Sequence, residues 1–485
     1  MSKHSLKRNF VYNTIYQIVQ IITPLVTVPY LSRILGAANI GTYSYTYAIA
    51  NYFILFAMLG MSTYGVRAVS IARAQSDDVS KTFWDLWFCQ LLSCCVIVVL
   101  YFIYMLLFPQ GSFIYTALWL PWIVSACLDI SWFMFGMEQF KVTSIRSIIV
   151  LVIELISIFA FVRTQDDLAV YIGITSFGYL AMQLTLWPFL KSFVCLDKPS
   201  WDSVVEHFRN SFRLFLPIAA ASLYTQLDKI MLGGLSDMAE VGYYDYAGKL
   251  AKFPLAVLTA FGVVMLPRMS SEISEGHSEK ALELIDMSIW GMLFGAIAIT
   301  AGMVAIAPEF VPVFFGDGFL PCISLMRVFA FRIPLVAASN VLGKQYLLPC
   351  CRDKEFTQSV CLGAVVNIVV NLALIPSLGA QGAVIGSVLA EIAVLAWQCR
   401  ILRCELPLQE YFIRMIPFAI IGVIMILIVR LTSCYLSSLF GLSAFTLIVE
   451  IIVGCLVYAL LSLLFCEIKR DSSYLALKAR LIHEK

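Results

Sequence analysis

The chain has 485 residues, 61% of them hydrophobic and 13% charged, with a formal net charge of +2 at pH 7. Soluble domains carry roughly 45–50% apolar and about 25% charged residues, so this composition excludes a soluble enzyme. The near-zero charge excludes a strongly basic nucleic-acid binder.

The apolar residues fall into blocks of about 20, the length that crosses a bilayer as a helix. Fourteen blocks qualify, at about 10–31, 41–65, 84–108, 113–135, 147–163, 168–190, 212–234, 246–267, 286–308, 320–346, 357–376, 381–400, 412–431 and 442–466. Helices are expected because a lone strand leaves its backbone unpaired in hydrocarbon. The alternating ten-residue segments of a membrane barrel are absent. The expected fold class is an all-α polytopic membrane protein. The fifth and sixth blocks are separated only by Arg163–Asp167.

The basic residues test this plan, because cytoplasmic loops are rich in Lys and Arg. With a cytoplasmic N-terminus, 24 Lys and Arg fall on the cytoplasmic side, including Lys3, Arg67, Lys141, Arg146, Arg209 and Arg414. Three fall on the other side, namely Arg33, Arg163 and Arg430, and six lie inside the spans. Both termini are therefore expected to be cytoplasmic. Lys3, Lys7 and Arg8 precede an apolar stretch with no small-residue cleavage site, unlike a secretory signal peptide.

The outer loops are short, the longest at about Leu235–Asp245. No Walker A or other nucleotide-binding motif occurs. Most of the 14 cysteines, such as Cys94, Cys95, Cys361 and Cys455, sit in apolar blocks, without metal-spaced CxxC pairs. Neither a cofactor nor a metal is expected.

A faint repeat runs through the chain. Gly41-Thr42-Tyr43-Ser44-Tyr45 and Gly242-Tyr243-Tyr244-Asp245-Tyr246 share G-x-Y-x-Y, 201 residues apart, and the same offset relates Arg67 to Arg268. Six spans separate the copies, so both have one orientation. Repeats of this kind place a substrate site between the halves. The expected organisation is an N-lobe over 1–195, a C-lobe over 196–405, and two further spans with a tail over 406–485. Chance similarity between Tyr-rich interfacial segments is the competing explanation.

Three blocks carry a family resemblance. The first is Thr23-Pro24-Leu25-Val26-Thr27-Val28-Pro29-Tyr30-Leu31-Ser32-Arg33-Ile34-Leu35-Gly36, followed by Ile40-Gly41-Thr42-Tyr43-Ser44. The second is Tyr224-Thr225-Gln226-Leu227-Asp228-Lys229-Ile230-Met231-Leu232-Gly233, then Val241-Gly242-Tyr243-Tyr244. The third is Leu266-Pro267-Arg268-Met269-Ser270. In this order and spacing, the chain resembles the polysaccharide-transporter branch of the multidrug/oligosaccharidyl-lipid/polysaccharide exporter superfamily, and within it the Wzx-type O-antigen flippases. The resemblance implies a two-lobed transporter in the bacterial inner membrane. Its cargo would be an undecaprenyl-diphosphate-linked oligosaccharide, moved from the cytoplasmic to the periplasmic leaflet. It also implies contacts with membrane lipid and with polysaccharide polymerase and chain-length proteins. The family has no strict catalytic motif.

Ionisable residues at membrane depth are costly and mark sites. The cations are Lys229, Lys249, Lys252, Arg327, Arg332 and Lys344. A diphosphate needs several fixed donors, and Arg and Lys supply them; Arg332, Arg327, Lys252, Lys249 and Lys229 are the candidate substrate-binding set. Lys249 and Lys252 share a helix face, whereas Arg327 and Arg332 diverge by about 140°. Snorkelling competes as an explanation for Lys249 and Lys344, and pairing with Asp228 for Lys229. Among the acids at depth, Glu154, Asp129, Asp228 and Glu391 are candidates for ion coupling, with Glu450 in the same class. A structural salt bridge or a protonated acid is the alternative for each.

Two other functions compete. A multidrug or organic-cation exporter of the same superfamily predicts a more acidic or apolar cavity. A membrane glycosyltransferase or polysaccharide polymerase predicts outer loops that bear catalytic residues, and the short outer loops here speak against it.

Overall fold

The computed structural model describes the backbone of residues 3–75, 78–107, 113–275 and 278–469, with most of their side chains. Among these residues every regular element is a helix. The protein is an all-α polytopic membrane protein. Contacts divide the chain into two compact units, Met1–Gly233 and Gly234–Lys485.

The first unit opens with α1 (Lys3–Met58), α2 (Met61–Gln75) and α3 (Val79–Leu107). It continues through α4 (Phe113–Ala117), α5 (Leu120–Leu128), α6 (Ser131–Gly136), α7 (Phe140–Phe161), α8 (Leu168–Leu184) and α9 (Trp187–Leu190). The unit boundary falls near the end of α10 (Trp201–Leu235). Helix α1 is two helices joined at Gly36, whose φ of 74° and ψ of 171° suit glycine alone. A second break follows at Leu59 and Gly60, both with positive φ. At Gly60 a Cβ would stand 2.9 Å from the Ser211 carbonyl oxygen and 3.0 Å from the Phe215 nitrogen. Ser211 Oγ donates to the freed Leu59 carbonyl at 2.6 Å, which ties α10 to the break.

The expected fourth span is three short helices rather than one. Pro121 lies in the first turn of α5, where its missing N–H costs nothing. The backbone leaves the helix at Asp129 (ψ 105°). Freed carbonyls at membrane depth need donors, and neighbouring helices supply them. Buried Gln90 donates through Nε2 to the carbonyls of Ala126 (2.5 Å) and Asp129 (2.9 Å). Trp87 and Trp187 donate through their indole nitrogens to Cys127 (3.0 Å) and Leu128 (2.9 Å). An apolar run does not reveal such a break, because the compensating groups lie on other helices.

The second unit comprises α11 (Met238–Ser274), α12 (Ser278–Phe315), α13 (Cys322–Asn340), a π-helical segment Val341–Leu347, α14 (Asp353–Leu378) and α15 (Ala380–Leu402). It ends with α16 (Leu408–Ile413), α17 (Ile416–Phe440) and α18 (Ala444–Lys469). Asp237 caps α11 by accepting the Glu240 N–H at 2.9 Å. Glu240 in turn accepts the Ala380 N–H at 2.7 Å, placing a carboxylate at the positive end of α15. Helix α13 packs on α11, α12 and α15, and α17 and α18 pack on α12.

Among the described residues, eleven helical stretches are long and apolar enough to cross a membrane. One of them, Thr14–Gln75, covers the first two expected spans, and the others cover the third to sixth and the ninth to fourteenth. The seventh and eighth expected spans fall on α10 and α11, which include residues outside the fully described set. The two G-x-Y-x-Y copies lie on long helices, one in each unit: Gly41–Tyr45 on α1 and Gly242–Tyr246 on α11.

Candidate functional site

The cations expected from sequence have different surroundings. Arg332, on α13, donates through Nη2 and Nε to one Glu391 oxygen on α15, at 2.9 and 3.2 Å. The Glu391 side chain is 7% exposed and the Arg332 side chain 24%. Lys249 pairs with Asp245 one turn back on α11 at 2.8 Å, and its Nζ lies 4.8 Å from the Tyr246 ring centre. Lys252 is exposed on the same helix. Arg327 is half-buried on α13, with a buried Nε that makes no hydrogen bond. Lys344 is exposed in the π-helical segment. Lys229 and Asp228 are both buried on α10, in the first unit. Arg332 and Glu391, assigned from sequence to separate roles, are thus brought together.

The acids of the first unit have structural neighbours. Asp129 accepts the Ser131 N–H at 2.8 Å, bridging the break between α5 and α6. Glu154, on α7, faces α8 at Gly178, with Oε2 3.5 Å from where a Cβ would stand. It lies within electrostatic reach of Tyr43 and Tyr179. Those tyrosines belong to an aromatic cluster. Tyr43 stacks on Tyr171 (4.4 Å between ring centres), Tyr47 on Trp122 (4.8 Å), and Trp122 on Tyr179 (4.7 Å). Trp119 is fully buried against Tyr43 and Tyr47. These rings pack on one another, so their faces form part of the core.

Two groupings escaped the sequence reading. In the second unit, Arg430 on α17 donates to both oxygens of Glu309 on α12, at 2.6 and 2.7 Å. Ser433 adds a third bond to Glu309 at 2.6 Å. Fully buried Glu450, on α18, lies beside Ser433 in the electrostatic field of this pair. Glu309 was missed because the expected ninth span stopped one residue short of it. In the first unit, Arg146 counts as a loop charge by sequence, yet it lines a partly open pocket of about 150 Å³ within α1, α6, α7 and α8. Its polar, hydroxyl-rich segment Thr143-Ser144-Ile145-Arg146-Ser147 was the available signal.

Known proteins resemble this chain over most of its length. The family model described as "Polysaccharide biosynthesis protein" matches residues 6–272. A protein of Escherichia coli (strain K12) named "Putative O-antigen transporter" is 24% identical over 381 residues, covering 76% of this chain and 89% of its own. A protein of the same name from Shigella dysenteriae is 22% identical, covering 82% of this chain and 100% of its own. The solved structure titled "Lipid II flippase MurJ, inward closed conformation" superposes with a TM-score of 0.73 at 15% identity, covering 96% of this chain and 99% of that one. An inward-facing multidrug resistance MATE transporter of the MOP superfamily gives 0.57 at 13% identity, covering 79% and 98%. At these identities the structural matches establish the shared fold.

Proposed function

We propose a function from one premise: the chain belongs to the polysaccharide biosynthesis protein family. On this reading the protein is a transporter rather than an enzyme. It flips an undecaprenyl-diphosphate-linked oligosaccharide of O-antigen type from the cytoplasmic to the periplasmic leaflet of the bacterial inner membrane. The names of its relatives support the class of cargo, and the one-sided distribution of basic residues supports cytoplasmic termini. The halves 1–195 and 196–405 alternate access to the cargo, with 406–485 outside the repeat.

The Arg332–Glu391 pair carries the mechanism. The Arg332 side chain remains partly exposed while the Glu391 side chain is buried. A phosphate of the cargo headgroup competes with the Glu391 carboxylate for the Arg332 guanidinium. Cargo and the intact pair then favour different states of one switch. Transport is ion-coupled on this reading, with Glu391 as the coupling residue. The unmet Nε of Arg327 on the same helix offers a second donor. Lys252, Lys249 and Lys229 are further candidates for the headgroup, and Glu154, Asp129 and Asp228 are secondary candidates for coupling.

Complementation of a flippase-deficient bacterium tests the reading. The wild-type chain restores surface polysaccharide when the matching repeat unit is made. Glu391→Gln lowers transport and removes its dependence on the proton gradient. A well-expressed wild-type chain that leaves lipid-linked oligosaccharide in the inner leaflet overturns the function. Unchanged proton dependence in Glu391→Gln overturns the coupling role.

A further inference from the structure

We infer that the pocket around Arg146 is a binding site for a phosphate-type oxyanion, separate from the Arg332–Glu391 pair. Four elements of the first unit build it. Tyr16 comes from α1, Ser131 from α6, Ser144, Arg146 and Ser147 from α7, and Gln183 from α8. Its volume of about 150 Å³ is below the roughly 300–1,000 Å³ of pockets that enclose a whole small-molecule ligand. It suits a single charged group.

The chemistry of the lining selects the group. Arg146 Nε and Nη1 are buried and make no hydrogen bond among the described residues. A buried donor on a permanent cation is costly to leave unmet, and an oxyanion satisfies it best. Among the described residues, the lining contains hydroxyls from Tyr16, Ser131, Ser144 and Ser147 and no carboxylate. Asp129 and Arg146 feel each other electrostatically, but Asp129 is engaged with the Ser131 N–H and forms no ion pair with the guanidinium. Gln183 Oε1 is also buried without a partner. Its amide can turn to present the NH2 group instead, since the two orientations have the same shape. A phosphate oxygen accepts from guanidinium, amide and hydroxyl together.

Arg146 lies less than two turns from the start of α7, at the end of that helix expected to face the cytoplasm. If the proposed function holds, this is the leaflet where cargo loads, and the natural ligand is the phosphate of a lipid headgroup held before the Arg332–Glu391 pair engages it. The site itself does not depend on that reading, and a free phosphate would use the same contacts.

The test uses the full chain in lipid nanodiscs, with binding of inorganic phosphate measured by calorimetry and retention of undecaprenyl phosphate by native mass spectrometry. Arg146→Gln is expected to weaken the bound species at least ten-fold, and Arg146→Lys less. Gln183→Met, which fills the pocket without touching the cation, should weaken binding similarly and covers the case in which Arg146→Gln fails to fold. Dependence on these residues for the lipid alone assigns a headgroup site, and dependence for both probes assigns a general phosphate site. Binding of both probes that is unchanged in Arg146→Gln and Gln183→Met, or no binding to the wild-type chain, overturns the proposal. Failed complementation with Arg146-dependent binding intact would overturn the flippase reading and leave the site standing.

Discussion

Arg332 and Glu391 lie 59 residues apart in sequence, yet share one carboxylate oxygen between two guanidinium nitrogens, 2.9 and 3.2 Å away. Removing one member of a buried ion pair leaves the other charge stranded and costs about 3–5 kcal/mol. Arg332→Ala is therefore expected to lower the amount of protein in the membrane, measured by immunoblot. Replacing both residues with apolar groups of similar size is usually neutral or stabilising, so the double variant Arg332→Met with Glu391→Leu should restore the level. It should not restore surface polysaccharide. A double variant that transports normally would remove the pair from the mechanism.

Glu450 and Arg430 should respond in opposite ways. Arg430 is bound by both Glu309 oxygens, so Arg430→Gln strands a buried carboxylate at a cost of about 3–5 kcal/mol. Glu450 is fully buried beside the Glu309 carboxylate. Glu450→Gln keeps its shape and removes this like-charge neighbour. Thermal melting of the purified protein is expected to fall sharply for Arg430→Gln and to hold or rise for Glu450→Gln. A large drop for Glu450→Gln would mean that the carboxylate itself is needed.

His207 supplies a pH dependence outside the membrane. Burial pushes its pKa below the ordinary 6.5, against smaller opposing effects of Asp85 and Glu206. Its Nδ1 lies 2.8 Å from the Tyr64 hydroxyl. The unfolded chain takes up this proton at higher pH than the folded one. Stability is thus full above about 6.5 and declines as pH falls through and below that value. His207→Gln should flatten the fall in melting temperature between about pH 7 and 5.5. An identical decline in the variant would assign it to other groups.

Gly60 is expected to resist substitution. Its φ of 77° costs a residue with a Cβ about 1–2 kcal/mol, and the Cβ would also press on the α10 backbone. Gly60→Ala should reduce thermal stability more than substitution at Gly234, around whose Cβ position nothing lies within 4 Å. Equal melting temperatures would show that the break between α1 and α2 relaxes freely.

The spans were legible because hydrophobicity is local: each block of about 20 apolar residues satisfies its own backbone as a helix. The interruption at Asp129 was not, because it is stabilised by Gln90, Trp87 and Trp187 from elsewhere in the chain. Charges at depth were legible as exceptions to an apolar pattern, which singled out Arg332, Glu391 and Glu450. Their partners were not, and Glu309 lies one residue beyond the apolar block that defines the ninth span. A count of basic residues places Arg146 in a loop, because it does not register which hydroxyls surround each one.

The amino-acid sequence by itself determined that this chain spans a membrane many times as helices, and its ordered motifs pointed to its family. Both rest on properties that neighbouring residues express without help from distant ones. Only the tertiary structure decided that Arg332 meets Glu391, that Arg430 meets Glu309, and that Arg146 faces a hydroxyl-lined pocket. A buried charge is stable only with a partner of the right geometry, and that partner sits on a helix whose position is set by packing across the whole unit.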